Sequence, residues 1–263
     1  MRLNFFIVLI IGTLLSTQIC NSQEEILYKK VDTTQLFLEV HYPPNMESSR
    51  SYPAMVFFFG GGWVGGNRSQ FLHQAQYFAK RGVVCFLADY RTSKVNGTTP
   101  FESVKDAKSA IRFIRKNATK FNIDGTKLIA SGGSADDMSI DCIPNALVLF
   151  NPVVDNGPGG YGYERIGEAY KDFSPLHNIK KDAPSTILFL GTKDHLIPVV
   201  TAEYYKMVME KVESRCDLKL YDGKGHGFFN YKDFESYKST VAAADQFLVS
   251  LGYLKTEPIV NIE

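Results

Sequence analysis

Cysteine is scarce in this chain, four residues in 263, and histidine numbers only five. No spacing of the two resembles a zinc site, so neither a metal nor any other cofactor is expected. Excess charge is lacking too: 29 Lys and Arg against 28 Asp and Glu leave a formal net charge of +1. With no basic cluster interleaved with aromatics, nucleic acid is not an expected partner. Internal repeats, low-complexity tracts and linkers that would split the chain are absent. A composition 44% hydrophobic and 22% charged is that of an ordinary globular protein, and one large α/β domain suits its length.

Long hydrophobic runs are missing as well, with one exception. "MRLNFFIVLIIGTLLSTQIC" places Arg2 ahead of an apolar stretch from Phe5 to Leu15, then small and polar residues. The stretch is shorter than the roughly 20 residues a bilayer crossing takes, so it reads as a cleaved export signal and not as a stable membrane anchor. Residues 1–22 are the expected signal peptide, 23–263 a single mature domain, and the destination a periplasm or the cell exterior. Oligomeric state is not legible. If Cys20 leaves with the signal, Cys85, Cys142 and Cys216 remain. Cys85, in "VVCFLADY", reads as a small buried hydrophobe. Cys142 and Cys216 each precede an apparent strand, and a bond between them is the one pairing considered.

What the chain does have is alternation. Apolar, β-rich runs fall at 35–42, 54–59, 83–90, 127–131, 146–153, 186–191 and 218–222. The later ones are continuously hydrophobic, as strands covered on both faces are. Helical patterns lie between them at 70–81, 101–121, 199–214 and 232–251. In "FESVKDAKSAIRFIRKNATKF" the residues Val104, Ala107, Ile111, Ile114 and Ala118 keep helical spacing. Strand followed by helix, repeated, predicts a mostly parallel sheet with right-handed crossovers.

Four motifs sit at strand ends. "FFFGGGWVGGNRSQF" runs a strand into Gly60, Gly61 and Gly62, whose bare amides suit an oxyanion pocket or merely a flexible turn. "KLIASGGSA" puts Ser134 where a sharp strand-to-helix turn would expose its hydroxyl, with the Ala135 amide beside it. "LFLGTKDHLIPV" places Asp194 just past a buried strand, as a cap or as the orienter of a histidine. "LYDGKGHGFFNY" places His226 between two glycines after the last strand. Each alone has a bland explanation. Together, in the order Ser, Asp, His, and at strand ends that converge on one crevice, they point to a hydrolase.

These residues resemble the α/β-hydrolase superfamily, in particular small exported acetyl esterase and lipase-like members allied to the hormone-sensitive-lipase and feruloyl-esterase-like groups. The similarity covers about residues 50 to 250 and is carried by "GGGW", "GGSA", "GTKDHLIP" and "GHGFFN". It implies an α/β-hydrolase fold, a nucleophile at Ser134, an acid at Asp194, a base at His226, and oxyanion donors at Gly61, Gly62 and Ala135. The implied reaction is hydrolysis of a short-acyl ester, acetyl or hydroxycinnamoyl, of a small molecule or a carbohydrate. "ADYR" at 88–91 and Asp106 match architectural positions of the family.

Two departures stand out. Phe59 occupies a place where many relatives carry histidine, a change expected to alter loop packing more than chemistry. After Ala135 the family pattern continues with glycine and a long helix, whereas Asp136 and Asp137 follow here, and Ala146 opens the next strand 12 positions after Ser134. "DDMSIDC" gives barely two helical turns at ~1.5 Å per residue, as though a helix had been excised. Three readings stay open: an esterase with a shortened crossover, a catalytically impaired relative with a binding or vestigial role, and a chain that folds poorly. A serine peptidase would share the triad. Aromatics near the motifs are Trp63, Phe71, Tyr161, Tyr163, Phe228 and Phe229, and residues 155–179 read as a small cap limiting acyl size.

Overall fold

A computed structural model describes residues 23–133 and 142–262. The expectations placed on residues 1–22, on Ser134 and on Ala135 lie outside that range. The described chain forms an eight-stranded sheet in the order β1-β2-β4-β3-β5-β6-β7-β8. The strands are β1 Gln23–Val31, β2 Thr34–His41, β3 Tyr52–Phe58, β4 Val84–Ala88, β5 Ile123–Gly133, β6 Ala146–Phe150, β7 Ser185–Gly191 and β8 Cys216–Tyr221. β1, β2 and β4 pair antiparallel, and every pairing from β4 through β3 to β8 is parallel.

The helices are α1 Leu72–Lys80, α2 Ser93–Asn96, α3 Pro100–Lys116, α4 Tyr163–Ile166, α5 Tyr170–Phe173, α6 Val199–Lys211 and α7 Phe234–Ser250. Local chemistry sets their ends. Thr99 caps α3, its backbone N–H donating to the Glu102 carboxylate at 3.0 Å, and Pro100 supplies the preset φ of a first helical residue. Asp233 caps α7 by accepting the Ser236 N–H at 3.3 Å.

Alternation along each strand sends side chains to two layers. Met55, Phe57, Ile129, Val148, Phe150 and Phe189 pack toward α1 and α7. On the other face Val56, Phe58, Phe86, Leu128 and Ala130 pack under α3, while Leu188 and Leu190 pack under α6. The strip between α3 and α6 is less well covered. Leu147 and Leu149 of β6 are only half-buried, although Leu188, the register partner of Leu149, is fully buried. A cavity of about 140 Å³ lies there, bordered by Ala130, Leu147, Leu149, Val104 and Tyr205.

Two expectations need correction. Gln23–Val31 forms a strand the sequence pattern did not indicate. No disulfide links Cys142 to Cys216: Cys142 is buried among the side chains under α3, and Cys216 among those under α6. Those groups lie beside β5 and β8, which have two strands between them, and strands ~4.8 Å apart put that separation well beyond disulfide reach. Among the described residues no helix is long and apolar enough to cross a membrane, and no group of three His, Cys, Asp or Glu is placed to hold a metal ion.

Candidate active site

The sheet reverses its winding between β3 and β5, the place where an open α/β sheet forms its crevice beyond the carboxyl ends of the strands. Asp194 and His226 reach it from adjacent strands whose exits are zipped together. The Thr192 N–H donates to the Tyr221 carbonyl at 2.9 Å, the Lys193 N–H to the Lys224 carbonyl at 2.9 Å, and the Gly223 N–H to Thr192 Oγ1 at 2.8 Å. A side chain on Gly191 would strike the Lys224 carbonyl, so only glycine lets the two loops close this tightly.

The result is a carboxylate–imidazole pair with His226 Nδ1 2.9 Å from Asp194 Oδ2. The Asp194 side chain is fully sealed from solvent, whereas that of His226 stays 24% exposed. Burial pushes the Asp194 carboxyl up, but the bond to His226 and the amides of Leu196 and Ile197, at 2.9 and 3.1 Å, outweigh it and hold the group below its ordinary value. An ionised Asp194 places the neutral imidazole's proton on Nδ1 and its lone pair on Nε2, the tautomer a general base needs.

The glycine loop follows β3. Gly61 has φ +148° and Gly62 φ +60°. A Cβ on Gly61 would overlap the Gly65 carbonyl, and one on Gly62 would collide with the Tyr161 hydroxyl. Among the described residues nothing accepts from the Gly61 or Gly62 amide. Gly60 presses on the end of β5, where a Cβ would lie 2.9 Å from the Gly133 carbonyl. The glycine loop therefore abuts Gly133, the residue before Ser134.

A BD-FAE family model matches residues 38–137, and a dienelactone hydrolase family model matches residues 158–257. Among solved structures, esterase 2 of Thermogutta terrifontis, phosphoramylated by tabun, is 37% identical over 90% of this chain and 97% of its own, with a TM-score of 0.84. The chain belongs to the α/β-hydrolase esterases. The butyrate-bound form of the same esterase superposes equally well, at 36% identity and a TM-score of 0.84 over 90% of this chain and 97% of its own. This esterase chain is also 28% identical over 155 residues to endo-1,4-beta-xylanase B of Butyrivibrio fibrisolvens, spanning 48% of itself and 24% of the xylanase. It spans about half the length of the first curated relatives it matches.

Other family positions in this hydrolase are structural. Asp106, fully buried, accepts from Lys29 at 2.6 Å and from Arg91 Nε and Nη2 at 2.7 and 3.0 Å. Tyr90 donates to the Phe59 carbonyl at 2.5 Å, and Phe59 stacks on its ring at 4.1 Å between centroids. The phenylalanine thus sets loop packing, as expected. Phe71, Phe228 and Phe229 are core residues. Trp63 and Tyr161 instead belong to a small cap: Trp63 is buried by Ile166, Phe173 and Phe101, and Arg165 lies over the Trp63 and Tyr161 rings while donating to the Gly62 carbonyl. Tyr163 lies on the outer side of this cap, donating to Glu168 at 2.6 Å.

Sequence reasoning missed Asn151. It follows β6 with φ +44° and is fully buried. Its Nδ2 donates to Asp194 Oδ2 at 2.6 Å, and its Oδ1 accepts the Gly227 N–H at 3.4 Å. The amide thus clamps the acid to the histidine loop. An asparagine directly after a buried strand was the one available signal, and by itself it reads as a turn.

Proposed function

We propose that this α/β-hydrolase is a serine carboxylesterase of short-acyl esters, with Ser134 as nucleophile, His226 as general base and Asp194 as the acid that orients it. The observation that carries the reading is the Asp194–His226 pair, 2.9 Å apart, on the same rim as the glycine loop and the end of β5. In this mechanism His226 Nε2 takes the Ser134 proton as the oxygen attacks the ester carbonyl. The amides of Gly61, Gly62 and Ala135 receive the developing oxyanion, and His226 returns the proton to the leaving alcohol. Water then attacks the acyl-enzyme by the same route, releasing the acid and restoring Ser134.

The cap supports a short acyl group. The Tyr161 hydroxyl and the Arg165 guanidinium crowd Gly62 so closely that a Cβ there would meet both. Little room is left beside that amide for a long chain. The butyrate bound to the Thermogutta esterase agrees with this size, and the partial match to a xylanase favours a carbohydrate as the alcohol. Hydroxycinnamate is the competing acyl group.

Turnover of p-nitrophenyl acetate, butyrate and octanoate and of methyl ferulate tests the proposal. We expect kcat/KM for acetate and butyrate to exceed that for octanoate by about 10-fold or more. Tyr161→Ala should narrow that gap, and Ser134→Ala should reduce every substrate to background. Equal rates for the wild type and Ser134→Ala would favour a binding or vestigial role.

A further inference from the structure

Between the glycine loop and the histidine loop runs a chain of side-chain amides. The Gly60 N–H donates to Gln70 Oε1 at 2.7 Å. Gln70 Nε2 donates to Asn230 Oδ1 at 3.2 Å, and Asn230 Nδ2 donates to the Gly227 carbonyl at 2.7 Å. Its direction is fixed at both ends, because a backbone N–H can only donate and a carbonyl only accept, so each amide has a single orientation that satisfies both neighbours. One turn further along the chain, Gln74 donates to the Phe229 carbonyl at 3.3 Å, a second tie to the histidine loop.

We infer that Gln70 and Asn230 are positioning residues that hold the oxyanion loop and the base in register. The inference rests on the serine-esterase reading of the site. Gly60 precedes the two proposed oxyanion donors, and its own amide is committed to Gln70, which leaves the donor role to Gly61 and Gly62. Gly227 follows His226, and its N–H is held from the other side by Asn151. The bridge between Gln70 and Asn230, 160 residues apart in sequence, is therefore a tie between two parts of the machinery. Such parts must agree to within a fraction of an ångström as charge develops, and a misplacement of ~1 Å costs on the order of 100-fold in rate.

The bridge makes a directional demand that only amides meet. In Q70E the new carboxylate would accept the Gly60 N–H yet, when ionised, give Asn230 no donor. In N230D the carboxylate would accept from Gln70 but stand against the Gly227 carbonyl. The test compares Q70E, Q70L, N230D, N230L and the double variant Q70L/N230L with wild type, using p-nitrophenyl acetate turnover and melting curves.

Each single variant should lower kcat by about 10- to 100-fold while KM changes by less than about 3-fold. Q70E, which keeps one of the two bonds, should lose less than Q70L. The double variant should be no worse than the poorer single one, because both changes break the same tie. Three outcomes overturn the inference: kcat within about 2-fold of wild type in cooperatively folded Q70L and N230L, losses that multiply in the double variant, or a loss confined to KM. Ser134→Ala separates the two layers. If it retains wild-type turnover, the esterase reading fails, whereas serine-dependent turnover unaffected by Q70L removes only the bridge.

Discussion

His226→Gln is expected to lower kcat/KM for p-nitrophenyl acetate by at least about 10⁴-fold while the protein still melts cooperatively. The glutamine amide can donate to Asp194 in place of Nδ1–H, so the sealed carboxylate keeps a partner and the fold is spared. It has no basic nitrogen, so nothing takes the proton as Ser134 attacks. Steady-state kinetics alongside a thermal melt make the check. A fall of less than about 10-fold would mean that the imidazole is a structural partner of Asp194 and no base.

Asp194→Asn should cost about 10³- to 10⁴-fold in kcat/KM, since a neutral amide no longer selects the Nδ1–H tautomer or stabilises imidazolium. The same variant carries a stability signature. Asp194 is held below its ordinary value in the folded protein, so the folded state binds its proton more weakly than the unfolded chain does. Its contribution is fully present above the ordinary carboxylate value of about 4 and is lost as pH falls through the depressed folded value. Urea midpoints measured from about pH 3 to 6 should therefore fall more steeply for wild type than for Asp194→Asn, other carboxylates being common to both. Parallel curves would contradict the assignment of Asp194 as a buried, hydrogen-bonded anion.

The parts of this site that announced themselves in the sequence are those tied to a buried strand. Asp194 and His226 each follow an apolar run, and parallel neighbours bring their exits together without further information. The glycine loop, which alone reads equally as a flexible turn, drew attention only through its company with the serine, aspartate and histidine motifs at other strand ends. β1 was hidden because "QEEILYKKV" is an edge strand with charged residues at both ends, a pattern without the apolar continuity of the central strands. Asn151, Gln70 and Asn230 were hidden for a different reason: amide side chains near turns are common, and their meaning appears only when segments distant in sequence are superposed in space. The Cys142–Cys216 pairing failed for the same reason in reverse, since two cysteines near strand starts read alike although different helices cover them. The brevity of the stretch between Gly133 and Ala146 was legible as a residue count. The half-covered leucines of β6, Leu147 and Leu149, became visible only in the sheet.

The central claim is that an activated serine at position 134 is served by the Asp194–His226 pair. Covalent labelling with diethyl p-nitrophenyl phosphate, followed by intact mass and peptide mapping, addresses it most directly, because phosphorylation requires the nucleophile and its base but not the second half of the cycle. One diethylphosphoryl adduct per chain is expected, on Ser134, formed slowly if at all in His226→Gln and absent from Ser134→Ala. An adduct on another residue, or none in the folded wild-type protein under conditions that label a known serine esterase, would contradict it.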